Sequence, residues 1–467
     1  MLAAVTLGAI VVWLAAWNYP HFDTYVHLTW GRDLLDGNEP GYTDFVAPTP
    51  HPLWLAVCTL VAAVAGGGAD HGMMLVALLS WVAMLAAIYR IGAATTSAPI
   101  GLLAAAFVGS SATFFFFTTR AYVDIPFVAL VLWAAALEAG RPRRGWRVMA
   151  LLALAGLLRP EAWLLAGMYF LWIAYGLRDV RRLLPLAALA AAAPVTWALI
   201  DLAVTGDALY SLHRTQAGAE GLNRTRGVEH VPGSLWSFFG SIIRPPVAAV
   251  GVVGVVGALV LLGARRVAPQ LAILVFGVVA FFGIGVAQLS ILPRYVILPS
   301  AALALFAAFA LLGWTTLPDE HRLRRNWRIG SLAALAAGAV GLAVFGLNTA
   351  QFTDRFSYER GVHRDLERLL AAPAVRDCGR PVTLPGFRLV PDVRWILDAR
   401  SEDVGARAER RRATGVEIVV RDPAALHQFV LQDGHAPQLN LPGPGFRPLA
   451  ESGRFAAYGK CEGPGGA

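Results

Sequence analysis

The chain has 467 residues, of which 57% are hydrophobic and only 15% charged, with a mean hydropathy of +0.56. Soluble domains carry about a quarter charged residues, so this composition excludes a soluble globular protein and indicates a polytopic membrane protein. The formal charge of +8 is almost wholly arginine, Lys460 being the only lysine; it reads as a compositional bias, and no nucleic acid is expected as a partner.

In chain order, residues 1–19 show neither the basic start nor the small-residue cleavage site of a signal peptide and read as a retained first span. A helix needs about 20 residues to cross the hydrocarbon, with a lower limit near ~17. Spans are expected at 2–17, 73–91, 100–117, 122–139, 183–204, 238–262, 271–289, 295–312 and 329–347, and two shorter segments, 148–158 and 162–177, meet at LLRPEAW. Segment 52–65 is apolar but covers only about 20 Å as a helix. Charge decides its place: if it does not span, the arginine clusters at 141–147, 178–182, 265–266 and 322–328 share the side of the N-terminus, as the positive-inside rule requires. The expectation is about eleven spans with a cytoplasmic N-terminus and a first outer loop, 18–72, carrying surface helices at 24–35 and 53–65. The turn 118–124, the junction 159–161, the loop 206–235, residues 293–295 and the tail after Asn348 then face outward from a bacterial inner membrane.

Residues 351–467 are rich in Arg, Asp, Pro and Gly and hold no span. They divide the chain into a membrane domain, 1–350, and a small extracytoplasmic α/β domain with a helix at 359–370 and strands at 416–420 and 455–458. The tail contains no P-loop, no GxGxxG and no metal-ligand spacing, and support or acceptor binding is expected of it. Cys378 and Cys461 could pair there, a question that geometry decides. The fold class is an all-α polytopic membrane protein with a small C-terminal α/β domain.

The polar residues of so apolar a chain are its candidates for chemistry. Asp23 follows the first span and either caps the helix behind it or serves as a general base, its pKa raised by partial removal from water. His27, one helical turn on, could orient Asp23 or meet it at a cation; Asp44 and His51 belong to the same loop, whereas Asp33, Asp36 and Glu39 read as the solvated end of the first surface helix. Arg120 and Asp124 are either an i,i+4 pair or residues facing a cavity. Arg159 and Glu161 flank Pro160, where a charge without a task would be costly and broken helix needs a protein-lined or wet surrounding. Arg294, beside Tyr295 at the mouth of a span, suits an anionic head group or phosphate. The loop 206–235 reads as a solvated or mobile loop.

A first span ending in an aspartate, the pattern FDTY…GNEPGYTDF…HPLW, the RPE junction and LPRY together resemble the GT-C superfamily of integral membrane glycosyltransferases, and within it the arabinofuranosyltransferases and related mannosyltransferases that use polyprenyl-phosphate sugars. Where that family carries a second acid, this chain has Phe22 or Thr24 beside Asp23. The resemblance implies an inverting transfer of a monosaccharide, arabinofuranose ahead of mannose, to a glycan, lipid or protein acceptor. Asp23 would be the catalytic base and Arg294 and Arg159 would meet the phosphate. Asp124 and Glu161 would hold sugar hydroxyls, His27 and His51 would line the acceptor side, and Asp44, Arg120 and Tyr295 would complete the lining. A divalent cation, Mg or Mn, held by Asp23 and His27 is the one cofactor with a place in this scheme. The competing reading is a lipid or solute transporter with an external domain, which should show paired repeats and broken helices in both halves.

Overall fold

The computed structural model describes residues 2–15, 18–44, 46, 49–143, 145–176, 179–345 and 349–461; the expected span ends at 16–17, 177 and 346–347 lie outside these, as do Arg144 and Arg178 of the arginine clusters. Helices dominate, because an apolar segment in an apolar surrounding satisfies its backbone within itself. Pro52–Thr95, Val180–Thr205, Ala268–Val286 and Pro293–Thr316 are long and apolar enough to cross a membrane. Two further pairs qualify only jointly: Ala98–Gly109 with Ala112–Thr119, bent by 63°, and Val228–Ile243 with Pro245–Leu261, bent by 110°. Leu2–Ala15, Asp124–Gly140, Trp146–Leu158 and Glu161–Gly176 have 14, 17, 13 and 16 residues, roughly 20–26 Å of helix. Eleven crossings would need these four shorter helices and Arg322–Phe345 as well.

Two segments that hydropathy presents as single spans are therefore broken. The first parts at Ser110 and Ser111, where Ser111 Oγ accepts the Phe114 N–H (3.3 Å) and donates to the Ile242 carbonyl (2.6 Å). The second parts at Arg244, whose φ is +72°, just ahead of Pro245 and Pro246, which have no N–H to continue the ladder. Helices stand at both positions expected in the first loop, Phe22–Leu35 and Pro52–Ala65, the second running on through Gly66–Gly68 into Ala69–Thr95. They approach closely because residue 31 is glycine: a Cβ there would stand 2.9 Å from Thr59 Cα. The loop 206–235 is more ordered than expected. Tyr210–Gly221 is helical, its start fixed by the Asp201 carboxylate, which accepts from Ser211 N (2.9 Å) and Ser211 Oγ (2.8 Å).

Ile297–Leu312 runs through the centre of the helical core and is buried from Ile297 to Phe309. Small residues let its neighbour Pro245–Leu261 lie against it: a Cβ on Gly254 would fall on the Phe306 carbonyl oxygen, the kind of close backbone approach on which helix packing in lipid depends.

After the helix Thr349–Ala371 the tail forms a five-stranded sheet from β1 (Val382–Leu384), β2 (Val404–Ala406), β3 (Gly415–Val420), β4 (Arg447–Ser452) and β5 (Phe455–Lys460), in the order β2-β1-β3-β5-β4. β1 is parallel to β2 and β3, while β5 runs antiparallel to β3 and β4. Leu366, Leu369, Ile418 and Phe455 belong to a core of the tail's own, and Cys378 is disulfide-bonded to Cys461.

The tail sits on the first-loop helix through buried charge. Arg394 Nη2 reaches Asp33 at 3.0 Å, with the two side chains 5% and 10% exposed. Asp33 is thus no solvated helix end, since the tail supplies its counter-charge; Asp36 and Glu39 are exposed. Glu359 of the tail helix takes Arg120 at 3.0 Å, and Tyr25 lies beside His363, Oη to Nε2 3.4 Å.

Candidate active site around Asp23 and Arg294

The helix Phe22–Leu35 starts two residues earlier than Asp23 would dictate as its cap. His21 is the N-cap, its Nδ1 accepting the Asp23 N–H at 3.4 Å, and it is pinned from behind by its own N–H on the Arg120 carbonyl (2.8 Å) and by its ring stacked on Tyr122 (4.1 Å). Thr24 Oγ1 donates to the Ala121 carbonyl (2.7 Å) and accepts from Trp54 Nε1 (3.2 Å). With capping done by His21, the Asp23 carboxylate is left for Arg294, whose Nη1 donates to Asp23 Oδ2 at 2.6 Å. Both side chains keep some access, 13% for Asp23 and 23% for Arg294, and among the described residues Arg294 Nε, itself buried, has no partner.

Burial by itself would raise the Asp23 carboxyl, as the sequence suggested, but Arg294, aided by His21, outweighs it and holds the group well below the usual carboxylate range. Asp23 beside Arg294 is therefore an ionised and weak base. Burial, against the pull of Asp23, lowers His21 to about 3 and keeps it neutral.

A second arginine centre lies nearby. Arg159, 5% exposed, is held by Asp124 on one side and on the other by Glu161, through Nη2 to Oε1 at 2.6 Å. Asp124 opens the helix Asp124–Gly140 and Arg159 closes Trp146–Leu158, so two helix ends are tied across one guanidinium. The Tyr295 ring joins the centres: Arg159 Cζ lies 4.7 Å from its centroid and Arg294 Cζ 5.6 Å. Arg120 and Asp124 are not each other's partners; Arg120 ends one helix and faces Glu359, while Asp124 begins the next and faces Arg159.

The remaining residues singled out in the sequence lie further off. His27 is fully buried, with Nδ1 at 2.5 Å from the Asp23 carbonyl and Nε2 at 2.8 Å from the Pro50 carbonyl. Both ring nitrogens are engaged by main chain, so Asp23 and His27 do not converge as a cation-binding pair, and among the described residues no three His, Cys, Asp or Glu side chains cluster as metal ligands would. His51 is bonded through Nδ1 to the Leu158 carbonyl (2.6 Å) and through Nε2 to Thr49 Oγ1 (3.1 Å), and burial, with His27 beside it, lowers its pKa to about 3. Asp44 faces the tail, where it accepts from Ser401 Oγ.

Two cations that sequence reasoning did not select, Arg388 and Arg224, join Arg120 at the Asp23 centre. Arg120 and Arg388 both act electrostatically on His21; Arg388 is anchored by Asp433 at 2.5 Å and Arg120 by Glu359. Arg224 interacts with Asp433, Arg388, Arg294 and Asp23, and the Thr225 carbonyl, accepting the Ile291 N–H at 2.9 Å, fixes its loop beside the turn before Arg294. Among the described residues Arg224 has no ion-pair partner of its own. Its only sequence signal was an arginine-rich loop shared with Arg214 and Arg226.

No protein-family model matches the chain, and no curated protein sequence matches it. Solved structures do. Crystal structures of ArnT from Cupriavidus metallidurans, one bound to undecaprenyl phosphate and one in the apo state, align over 98% of this chain and 97% of theirs, with a TM-score of 0.57 and 14% identity in each case. At that identity the likeness concerns architecture, and it runs over membrane helices, first-loop helices and tail alike. In architecture the chain shares the fold of these two structures.

Proposed function

We propose that this protein is an integral membrane glycosyltransferase that moves a monosaccharide from a polyprenyl-phosphate donor to a cell-envelope acceptor at the outer face of the bacterial inner membrane. The observation that carries the reading is the Asp23–Arg294 pair at 2.6 Å, set where the first-loop helix, the residue 118–124 turn and the residue 293–296 turn meet in a GT-C fold. The crystal structure of ArnT bound to undecaprenyl phosphate supports the class of donor.

The pair is a latch that the donor opens. A donor phosphate reaching Arg294 competes with Asp23 for the guanidinium, because planar guanidinium groups favour bidentate contact with phosphate. As Arg294 turns to the phosphate, the main influence lowering the Asp23 pKa leaves while burial, which raises it, stays, so Asp23 becomes a better base once donor is bound. It then takes the proton of an acceptor hydroxyl; the oxygen attacks the anomeric carbon, and the bond from that carbon to the phosphate oxygen breaks with its electron pair on the phosphate. The new glycosidic bond has inverted configuration. Arg294 and the unpaired Arg224 face the charge that develops on the leaving phosphate. Arg159, already neutralised by Asp124 and Glu161, holds Tyr295 in place between the two guanidinium groups, and Asp124 Oδ2, which has no partner, remains available to a sugar hydroxyl.

The residue pattern of the first loop favours arabinofuranose over mannose as the transferred sugar. The transporter alternative would need a second broken pair placed symmetrically with the Arg159 junction, whereas the two breaks observed, at Ser110–Ser111 and Arg244, meet each other through the Ser111–Ile242 bond. The test is Asp23→Asn in purified enzyme given radiolabelled polyprenyl-phosphate sugars: transfer per folded molecule should fall by about 10²–10⁴-fold, the usual worth of a general base. Transfer near the unmodified rate would remove Asp23 from the mechanism.

A further inference from the structure

Between the first-loop helix and the tail lies a cavity of about 360 Å³, within the roughly 300–1,000 Å³ usual for small-molecule sites. One wall is the stripe Phe22, Val26, Thr29 and Trp30 of that helix; the opposite wall comes from Phe387 and the strand β2. Its charged groups are Arg394 and Arg412 against Asp44, Glu402 and Glu409. Arg394 is already matched by Asp33, so the lining carries a surplus of negative charge. Among the described residues neither the Glu402 nor the Glu409 carboxylate has an ion-pair partner. Arg394, 95% withdrawn from solvent at 5% side-chain exposure, lines the cavity with its Nε unpartnered.

We propose that this cavity binds an uncharged, polyhydroxylated sugar unit of the acceptor, an inference that rests on the glycosyltransferase reading for the acceptor's role but not for the binding itself. Carboxylates accept hydrogen bonds from several sugar hydroxyls, a guanidinium donates to ring and hydroxyl oxygens, and the aromatic side chains Phe22 and Phe387, packed edge to face at 5.4 Å, offer apolar surface to the C–H face of a pyranose or furanose. The surplus of carboxylate disfavours a phosphorylated or otherwise anionic unit. Asp23 is the neighbour of Phe22 but stands about 100° further round the helix at 3.6 residues per turn. The unit held in the cavity is therefore not the one that receives the transferred sugar but another of the same glycan, and the acceptor is a glycan of at least two units.

Gly405 supplies a probe of the site. It lies on β2 in the cavity lining, and a Cβ built on it meets no atom within 4 Å, so a larger side chain there enters the open space. The experiment is titration calorimetry on the purified full-length protein, without donor, using arabino-, manno- and galactotetraose and, as the anionic probe, mannose 6-phosphate. At least one neutral tetrasaccharide should bind and mannose 6-phosphate should not. Glu409→Gln should weaken that binding by about tenfold, the worth of one lost charge-assisted hydrogen bond, and Gly405→Phe, by filling the space, should weaken it at least as much. Failure of all three tetrasaccharides to bind, preference for the phosphorylated sugar, or binding unaltered by both substitutions would each overturn the inference; if Gly405→Phe does not fold, Glu409→Gln with Arg412→Met decides. Tetrasaccharide binding without transfer from any polyprenyl-phosphate sugar would sink the transferase reading and leave the cavity assignment standing. Transfer indifferent to cavity substitutions would do the reverse.

Discussion

The two arginine centres are built from the same residue types and differ in how their charges close. At Arg159 two carboxylates surround one guanidinium that is 5% exposed; at Arg294 one carboxylate meets one guanidinium, both keep some access, and the buried Nε has no hydrogen-bond partner among the described residues. The first guanidinium is saturated and fixed; the second can exchange partners. A charge buried in such a chain is costly unless paired, so what separates a structural arginine from a reactive one is the fraction of its hydrogen-bonding capacity already spent.

The sharpest way to break this contrast is to remove each arginine in turn. Arg159→Met leaves Asp124 and Glu161 without a counter-charge, and breaking a buried pair from one side costs about 3–5 kcal/mol. Its unfolding midpoint in detergent should fall far more than that of Arg294→Met, where Asp23 retains access to water. Transfer activity should rank the other way per folded molecule, Arg294→Met losing the donor phosphate contact. Equal destabilisation by both substitutions would erase the distinction.

That distinction was only half legible in the sequence. Asp23, Arg159, Glu161 and Arg294 stand out as polar residues at the ends of apolar runs, and hydropathy brought their helices out because burial of Leu, Val and Ala is what sets those runs apart. Pairing was not legible. An i,i+4 spacing suggested Arg120 with Asp124, but the chain changes helix between them, so the rule for neighbours on one helix does not apply, and each finds a partner far away in sequence. Arg388 and Glu359 come from the tail, where composition alone indicates only a small α/β fold. The break at Arg244 carried a local signal, Pro245–Pro246, that an unbroken apolar run concealed.

A subtler measurement is the acid limb of the pH–rate profile. In the unmodified protein Asp23 lies below the usual carboxylate range, so it stays ionised through neutral and mildly acidic pH. The stability it contributes is present above its unfolded value of about 3.9 and is lost only as pH falls through the lower folded value. In Arg294→Met the lowering influence goes and burial remains, so the folded value rises above the unfolded one and the sign inverts: stability is lost as pH rises through that interval. Residual transfer should then show an acid limb shifted upward by about three pH units. A profile that does not move would mean that Arg294 does not set the Asp23 proton affinity.

The smallest effect isolates Arg224. It has no ion-pair partner among the described residues, yet it interacts with Asp23, Arg294 and Arg388 across the candidate centre. Burial, followed by the repulsion of Arg388 and Arg294, lowers its own pKa despite the pull of Asp433, so in the absence of donor it is a cation held at some cost among other cations. An anion placed between Arg224 and Arg294 relieves that repulsion. Arg224→Met should accordingly leave the fold unharmed, and slightly relieved, while raising KM for the polyprenyl-phosphate donor by about tenfold, the loss of one charge-assisted contact of roughly 1.4 kcal/mol. KM for the acceptor should not change. A variant that lowers stability without touching the donor KM would make Arg224 a packing residue and leave Arg294 as the only cation facing the phosphate.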